Sequence, residues 1–313
     1  MKKMKKIPEK VRQIRENRSH QEKESRSISF SQLSMYLNCP YCWYRSYVLK
    51  EAPFVPSIHL IFGTAIHEVL QHWLDVLYNE SVKASEELDL HSMLLVRLKE
   101  LYKSNKASYG RDFSTSKELQ EFYEDGIAIL DFVKKHRKVY FDSARTTWLV
   151  GTEIPLLVPL RDKFYFKGFI DALFYNAETE QWLILDFKTS GTGWHSEKTD
   201  KIKTSQLILY KEFLHRMFNI PLESINIQYF IVKRKIPEDA EFATMKKRVQ
   251  IFEPPSKKPS LNKAVGFVDS FIADAVSEDG TYIQKEYAKN QTDKSCRWCL
   301  FRDSCKMQES TLS

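Results

Sequence analysis

The stretch LILDFKTS, residues 183–190, decides how the rest of this sequence is interpreted. It opens with three consecutive apolar residues, a run typical of a strand that is covered on both faces. The run leads directly into Asp186 and Lys188. Because side chains two apart on a strand share a face, one interpretation is an ion pair at the rim of a sheet. The other is a metal ligand beside a catalytic lysine, and the stretch by itself favours the ion pair.

The composition is that of a large globular chain. Its 313 residues are 42% hydrophobic, which is enough to build a sizeable core in one large domain or two ordinary ones. No apolar run approaches the roughly 20 residues that cross a bilayer, and no apolar segment follows the Lys-rich start. We therefore expect no membrane span, no signal peptide and a cytoplasmic location.

Positive charge is concentrated at one end of the chain. The formal net charge is +7, and residues 1–26 hold ten Lys or Arg against four Glu. The remaining sequence is nearly balanced. This pattern predicts a flexible basic arm over residues 1–27, which either contacts phosphates or only keeps the protein in solution.

The hydrophobic pattern divides the rest of the chain into four segments. Residues 28–83 predict N-terminal helices, and residues 84–147 predict a charged helical insertion. Residues 148–260 alternate between strand-like and helical runs, which predicts a central mixed β-sheet flanked by helices. Residues 261–313 predict a final helix and a cysteine-rich tail. The expected fold class is therefore α/β.

The central segment carries the strands. Three strand-like runs joined by short polar turns predict an antiparallel meander, at residues 152–160, 164–175 and 181–189. A helical run at 205–219 and a strand at 225–233 follow. This order of strand, strand, strand, helix and strand is typical of an α/β core.

Two carboxylates are expected to meet in this sheet. Asp171 and Asp186 can lie near one another on adjacent strands if the hairpin turn falls at 176–180. Carboxylates that close repel each other unless a cation lies between them, and Mg²⁺ prefers oxygen ligands. Lys188 would then hold an attacking water or balance charge in the transition state of phosphodiester hydrolysis.

Other residues support this hypothesis less specifically. The main-chain carbonyl of Phe187 and the carboxylate of Glu153 could add oxygen ligands, although Glu153 fits an exposed edge strand equally well. His67 lies in the middle of a predicted helix, where a histidine is more often a packed side chain than a ligand. Gln206 and Tyr210 are four apart and share a helix face, as an ordinary half-buried pair would.

The five cysteines give a more specific signal. Cys296, Cys299 and Cys305 form a C-x₂-C-x₅-C pattern, which in a cytoplasmic protein favours a metal or cluster site over disulfides. Three thiolates need a fourth ligand. Cys39 or Cys42, far upstream, could supply it and so tie the two ends of the chain together. Ligand chemistry does not choose between zinc and iron, because tetrahedral thiolates suit both.

Taken together, these residues resemble the RecB-like branch of the PD-(D/E)XK nuclease superfamily, specifically its iron-sulfur members, such as CRISPR-associated and AddB-type iron-sulfur exonucleases. The resemblance follows the family's motif order over residues 29–305. It rests on the Cys-Pro pair at Cys39, then FGTAIHEVL, KGFIDALF, LILDFKTS, SQLILY and the terminal cysteine pattern. It departs at Ile170, which stands where the superfamily's name has proline, and at Cys42, an extra thiol.

The resemblance implies a restriction-endonuclease-like core with an iron-sulfur-stapled tail. It implies catalytic roles for Asp171, Asp186, Lys188, Gln206 and Tyr210. It also implies that His67 joins the two aspartates in a Mg²⁺ or Mn²⁺ site, to which the residues' own chemistry adds Glu153 and the carbonyl of Phe187. The cysteines expected to bind a 4Fe-4S cluster, with zinc as the alternative, are Cys39, Cys296, Cys299 and Cys305.

The expected activity is a metal-dependent deoxyribonuclease, an exonuclease acting at duplex ends or on single strands in DNA repair, recombination, or phage or CRISPR DNA processing. The basic arm and the clusters KRK (233–235) and KKR (246–248) are predicted to contact backbone phosphates. The sequence has no Gly-x-x-x-x-Gly-Lys motif, so unwinding is expected from a separate helicase or another recombination or replication protein. Two alternatives stay open: a non-catalytic DNA-end-binding or assembly protein with a vestigial site, and a zinc-stabilised nucleic-acid-binding protein.

Overall fold

The computed structural model describes residues 7–17, 26–141, 146–237, 246–297 and 299–305. The strands are β1 (Arg26–Ile28), β2 (Thr147–Arg161), β3 (Phe164–Asn176), β4 (Gln181–Ser190), β5 (Ile225–Lys233) and β6 (Val249–Phe252). The helices before β2 are α1 (Glu9–Glu16), α2 (Phe30–Asn38), α3 (Pro40–Trp43), α4 (Ile58–Asn79), α5 (Val82–Glu87), α6 (Leu90–Tyr109), α7 (Ser116–Lys135) and α8 (Arg137–Tyr140). The later helices are α9 (Lys201–Phe218), α10 (Lys258–Ala275) and α11 (Asp293–Cys296).

These strands form one mixed sheet. They lie in the order β1-β3-β4-β5-β6, and β2 pairs with β3 outside this path. Neighbours β2, β3 and β4 are antiparallel, as the predicted meander requires, whereas β5 runs parallel to β4 after the crossover through α9. The prediction of a mixed sheet flanked by helices is therefore confirmed, and the chain has a restriction-endonuclease-like α/β core.

The hairpin between β3 and β4 sets the register of the sheet. The side chain of Asn176 accepts hydrogen bonds from the backbone N–H groups of Glu178 and Thr179, which closes the turn at the predicted place. The resulting ladder ends with the pair Ala172 and Leu185. Asp171 and Asp186 are the next residues on their strands, so the turn places the two carboxylates side by side.

Helices cover the two faces of the sheet and create two apolar cores. On one face, α2, α9 and α10 pack against the sheet, and the core there includes Phe166 of β3, Phe213 of α9 and Phe271 of α10. On the other face, α4 packs with α6 and α7, and the core there includes Phe62 of α4 and Phe187 of β4. The strands of the centre are therefore buried on both sides, as the apolar run before Asp186 indicates. None of the described helices is both long and apolar enough to cross a membrane.

The structure corrects the expected flexible arm where it describes it. Residues Glu9–Glu16 form α1, and Val11 and Ile14 on one face of this helix are fully buried in the core. Arg15 also donates hydrogen bonds to the backbone carbonyls of Leu149 and Val150 in β2. Two apolar residues at helical spacing thus anchor a segment that its charge alone predicts to be free. Residues 1–6 and 18–25 of the arm lie outside the described residues.

Candidate active site

The candidate active site lies where β3 and β4 separate. Beyond the last pair of their ladder, β4 continues beside β5, with Asp186 paired to Tyr229, while β3 leaves with β2. The backbone N–H of Phe187 donates a hydrogen bond of 2.7 Å to the carboxylate of Asp171 across the gap. One aspartate is therefore fixed by the backbone beside the other, as the hairpin geometry predicts.

Lys188 contacts the second aspartate. Its Nζ lies 2.5 Å from Oδ2 of Asp186, whose side chain is only 2% exposed. Apart from this ion pair, Oδ2 of Asp186 has no hydrogen-bond partner among the described residues. Burial raises the pKa of both Asp171 and Asp186 to about 6, and the nearby ammonium of Lys188 limits the rise. The site therefore holds one almost fully buried carboxylate and one that is 15% exposed, with the ammonium of Lys188 close to them.

Helix α4 supplies His67 to the same gap. Its Nδ1 lies 3.7 Å from Oδ2 of Asp171, and its ring packs 5.8 Å from that of Phe187, measured between centroids. Burial, followed by the charge of Lys188, lowers the pKa of His67 to about 4. The imidazole is therefore neutral near pH 7, which is the state in which histidine ligates metals.

Glu153 reaches the site from β2, in an unusual backbone conformation. Its φ is +50° in the middle of a strand, and its carboxylate accepts a 2.6 Å hydrogen bond from Nε2 of Gln71. The same amide nitrogen lies 3.2 Å from the backbone carbonyl of Asp171. Gln71 is a residue that the sequence analysis missed, although its position one helical turn after His67 on the buried face of α4 was available as a signal.

Helix α9 adds Gln206 and Tyr210. Nε2 of Gln206 lies 3.3 Å from the hydroxyl of Tyr210, which is buried. A Cβ on Gly168 would lie 3.0 Å from the Tyr210 ring, closer than most Cβ contacts, so glycine favours this close approach. Burial raises the pKa of Tyr210, with the charges of Asp186 and Asp171 adding to the effect, so its hydroxyl stays protonated. The structure thus brings together six of the predicted side chains, namely His67, Asp171, Asp186, Lys188, Gln206 and Tyr210.

The donor set suits a divalent cation, although the side chains are not closed around one. Within the described part of the chain, no group of three or more His, Cys, Asp or Glu side chains is arranged to hold a metal ion. At the carboxylate site, however, Asp186, which is almost fully buried, and Asp171, which is 15% exposed, lie close together, and Asp171 faces a neutral imidazole. Carboxylate oxygens are the ligands that Mg²⁺ and Mn²⁺ prefer, so the residues fit such an ion.

A second candidate site is the cysteine cavity, a space of about 280 Å³ lined by all five cysteines. Sγ of Cys42 lies 3.8 Å from Sγ of Cys299, and burial with this neighbour raises the pKa of Cys42 to about 12. Sγ of Cys39 and of Cys305 accept hydrogen bonds from Asn290 and Gln291, each at 3.5 Å. The fold therefore brings the upstream cysteines to the tail cysteines. Thiolates are the donors that zinc and iron-sulfur clusters take, but the described cysteines are not arranged as a closed metal site.

A basic groove connects the two sites. It encloses about 1090 Å³ and runs from Lys188 and Gln206 to Cys39 and Cys296. Two carboxylates, those of Asp200 and Asp293, line the groove. Five basic side chains also line it: Lys188, Lys203, Lys294, Arg297 and Arg302. Lys294 is paired with Asp200 at 2.8 Å. The lining therefore carries more positive than negative charge.

The predicted phosphate contacts of KRK are wrong for two of its residues. Lys233 is 4% exposed. Arg234 stacks on Phe122 with its guanidinium carbon 3.4 Å from the ring centroid, and it pairs with Asp125. Lys235 also pairs with Asp125. Arg234 and Lys235 therefore tie α7 to the end of β5, a long-range pairing that a charge run does not reveal.

Comparison with known proteins gives the family. The model of the PD-(D/E)XK nuclease superfamily matches residues 27–306, and the chain belongs to this superfamily. No curated protein sequence matches the chain significantly. Among solved structures, it is similar to the crystal structure of SSO0001, with 12% identity, a TM-score of 0.35, and coverage of 95% of this chain and 93% of that chain. Superfamily membership, together with the site described above, indicates a metal-dependent nuclease that acts on DNA.

Proposed function

We propose that the chain is a Mg²⁺- or Mn²⁺-dependent deoxyribonuclease of the RecB-like branch, an exonuclease acting at DNA ends or on single strands. The observation that carries the proposal is the convergence of Asp171, Asp186 and Lys188 where β3 and β4 separate, in a chain that belongs to a nuclease superfamily. An exposed rim ion pair is a poorer account, because Asp186 is almost fully buried.

Five groups of this chain would hold the ion. They are the carboxylates of Asp171, Asp186 and Glu153, the imidazole of His67 and the main-chain carbonyl of Phe187. The bound ion would polarise the scissile phosphate and lower the pKa of the attacking water. Binding would also relieve the repulsion between the neighbouring carboxylates of Asp171 and Asp186.

The remaining side chains orient the substrate. Lys188 forms an ion pair with Asp186. Its ammonium either holds the attacking water or balances the charge on the phosphate in the transition state. Tyr210 stays protonated and is hydrogen bonded to Gln206, so the pair can donate to a phosphate oxygen at the site. The basic groove would receive the DNA backbone through contacts that depend on charge rather than sequence.

The cysteine cavity is proposed to hold a 4Fe-4S cluster through Cys39, Cys296, Cys299 and Cys305, with zinc as the alternative. Such a group would tie the tail to the helices at the start of the fold, and its role would be structural. Purification without oxygen distinguishes the two. We expect a brown protein with broad visible absorption, whereas a colourless protein that contains zinc would contradict the cluster.

The biological setting proposed is DNA repair, recombination, or phage or CRISPR DNA processing in the cytoplasm, with unwinding supplied by a separate helicase or another recombination or replication protein. A non-catalytic DNA-end-binding protein is the competing function. The intact set of Asp171, Asp186 and Lys188 favours the enzyme, because a protein that only binds ends has no need for buried carboxylates.

A digestion time course tests the proposal. End-labelled single-stranded and duplex DNA, with a circular control, are incubated with Mg²⁺ or Mn²⁺ and either the unaltered protein, Asp186→Ala or Asp112→Ala. Asp112 is a matched control because it forms an exposed ion pair with Lys106, remote in sequence from the site motifs. We expect Asp186→Ala alone to abolish degradation while retaining the fold. Undiminished cleavage by Asp186→Ala would contradict the assignment, and DNA-end binding without cleavage by the unaltered protein would favour the competing function.

A further inference from the structure

The proposed catalytic roles leave one buried polar side chain of the site without a task. Gln71 lies on the apolar face of α4 and is 6% exposed. Its side-chain amide donates to the carboxylate of Glu153 at 2.6 Å and to the backbone carbonyl of Asp171 at 3.2 Å. One amide group therefore connects α4 to both strands of the β2–β3 pair at the site.

The strand pair changes its packing at this point. Thr152 pairs with Ala172 and Ile154 pairs with Ile170, so Glu153 and Asp171 lie between these two pairs. On β3, Ile170 packs in the core under α9, whereas Ala172, two residues later, packs in the core under α4. Residues two apart on a regular strand share a face, so the pair twists sharply across Glu153 and Asp171.

Glu153 has a left-handed backbone conformation at the position where the strand pair twists. A residue with a Cβ adopts a φ of +50° within a strand only when its surroundings enforce it. Glu153 is also exposed, so packing does not fix its carboxylate. The hydrogen bond from Gln71 is the contact that holds it towards α4, which is the side from which His67 enters.

A purely structural role explains only part of this geometry. Asp171 is paired with neither β2 nor β4 in the registers of the described strands, so a donor beside its backbone carbonyl is expected. That need accounts for the bond to the carbonyl but not for the shorter bond to the carboxylate of Glu153. An amide suits the second bond because it orients a carboxylate without cancelling its charge, whereas a lysine would compete with a cation.

We propose that Gln71 is a positioning residue that fixes the carboxylate of Glu153 and the backbone of Asp171 for the divalent cation. This inference rests on the proposed function, since it concerns the same site. Groups that orient metal ligands typically change metal affinity by 10- to 100-fold when removed. Gln71 itself contacts neither substrate nor metal in this arrangement.

Direct Mn²⁺ binding tests the inference. Calorimetric titration of the full chain with Mn²⁺, without DNA, is compared for the unaltered protein, Gln71→Met and Gln228→Met. Gln228 is a matched control because its amide also donates to a glutamate, Glu253, at 3.0 Å, but from β5. Methionine keeps the length of the side chain and removes its donors. We expect Gln71→Met to weaken Mn²⁺ binding about 10-fold or more, and Gln228→Met to leave it unchanged.

A second pair of variants separates positioning from bracing of the fold. If Gln71 acts through Glu153, the combined change Gln71→Met with Glu153→Gln weakens Mn²⁺ binding little more than the stronger single change does. If Gln71→Met binds Mn²⁺ as the unaltered protein does, and only its melting temperature without metal is lower, the positioning role of Gln71 is overturned. The proposed function is not affected by that outcome. Absence of Mn²⁺ binding and of cleavage by the unaltered protein would overturn the proposed function as well.

Discussion

The carboxylate site and the cysteine cavity are built in opposite ways. At the first, Asp171 and Asp186 belong to one hairpin, and the sheet places them without help from any bound group. At the second, thiols from the start and the end of the fold line one cavity, but only Cys42 and Cys299 are in sulfur contact. A site within one hairpin can be preorganised by hydrogen bonds, whereas a site between chain ends depends on closing a long loop.

This difference predicts different consequences when the two sites are damaged. Changes at the carboxylate site should remove activity and leave the fold, because the strands that carry it are buried on both faces. Changes at the cysteine cavity should loosen the fold and affect activity only through that loss. The experiments below test this contrast, from the largest expected effect to the smallest.

Cys299→Ser should have the largest effect, on stability. The proposed cluster ties the tail to α2 and α3, and the binding free energy of a structural metal site contributes to folding. Loss of the cluster should therefore lower the free energy of unfolding by several kcal/mol. The measurement is the midpoint of denaturant unfolding, with iron content determined on the same sample.

Cys42→Ser provides the comparison within the same cavity. It removes the thiol next to Cys299 but, in the proposed ligand set, no cluster ligand. We expect it to retain iron and most of the stability. Loss of iron in Cys42→Ser with retention in Cys39→Ser would show that Cys42, not Cys39, is the fourth ligand.

Lys188→Met should lower the rate of cleavage by about 10²- to 10³-fold, as removal of a group that stabilises transition-state charge usually does. The Nζ atom faces Asp186 and the side chain is 27% exposed, so the fold should persist. Single-turnover cleavage at saturating Mn²⁺ measures the effect, with circular dichroism as the check on folding. Lys106→Met, which breaks only an exposed pair with Asp112, should cleave normally. A loss of structure in Lys188→Met equal to that in Cys299→Ser would break the contrast between the two sites.

The pH dependence of cleavage should report the two buried aspartates. Burial raises the pKa of each to about 6, so both become protonated as the pH falls below that value and lose their affinity for a cation. With two such groups, cleavage at subsaturating Mg²⁺ should fall by about 100-fold between pH 7 and pH 5. A profile that stays flat over this range would contradict the roles of both residues.

Stability of the metal-free protein should respond in the opposite direction. For a raised pKa, the folded state binds more protons than the unfolded state, so each aspartate contributes stability as the pH falls through about 6 towards 4. His67, whose pKa is lowered to about 4, opposes this trend below pH 6.5. Asp186→Asn removes one aspartate, so its melting temperature should gain less than that of the unaltered protein between pH 7 and pH 5.

What the sequence predicts well is local. The alternation and turn residues around Asn176 are sufficient to place β3 beside β4, and hence Asp171 beside Asp186, because a two-strand hairpin has few possible registers. The short strands β1 and β6 carry too few residues for a periodic signal. Helix α1 is not predicted, because the high charge of this segment favours a flexible arm and only two apolar residues, Val11 and Ile14, indicate a buried helix face.

What the sequence does not predict depends on contacts between distant elements. Gln71 joins the site only because α4 crosses the β2–β3 pair, and nothing near it in the chain shows that Glu153 will adopt a left-handed conformation. The pairing of Arg234 with Asp125 likewise depends on α7 folding back onto β5. Such contacts are properties of the packed fold and are not encoded in any short motif.

Tyr210→Phe should have the smallest effect, because it removes one hydroxyl and keeps the ring that packs against Gly168. If the hydroxyl helps to hold a phosphate oxygen, one hydrogen bond to an anionic acceptor is lost, and cleavage should slow by about 10-fold. Steady-state cleavage of single-stranded DNA measures this, with the effect expected in KM more than in kcat because the contact is made in the ground state. Tyr229→Phe is the control, since the hydroxyl of this buried tyrosine donates to the backbone carbonyl of Lys203 in α9. Equal losses in the two variants would show that Tyr210 supports the packing of α9 rather than the substrate.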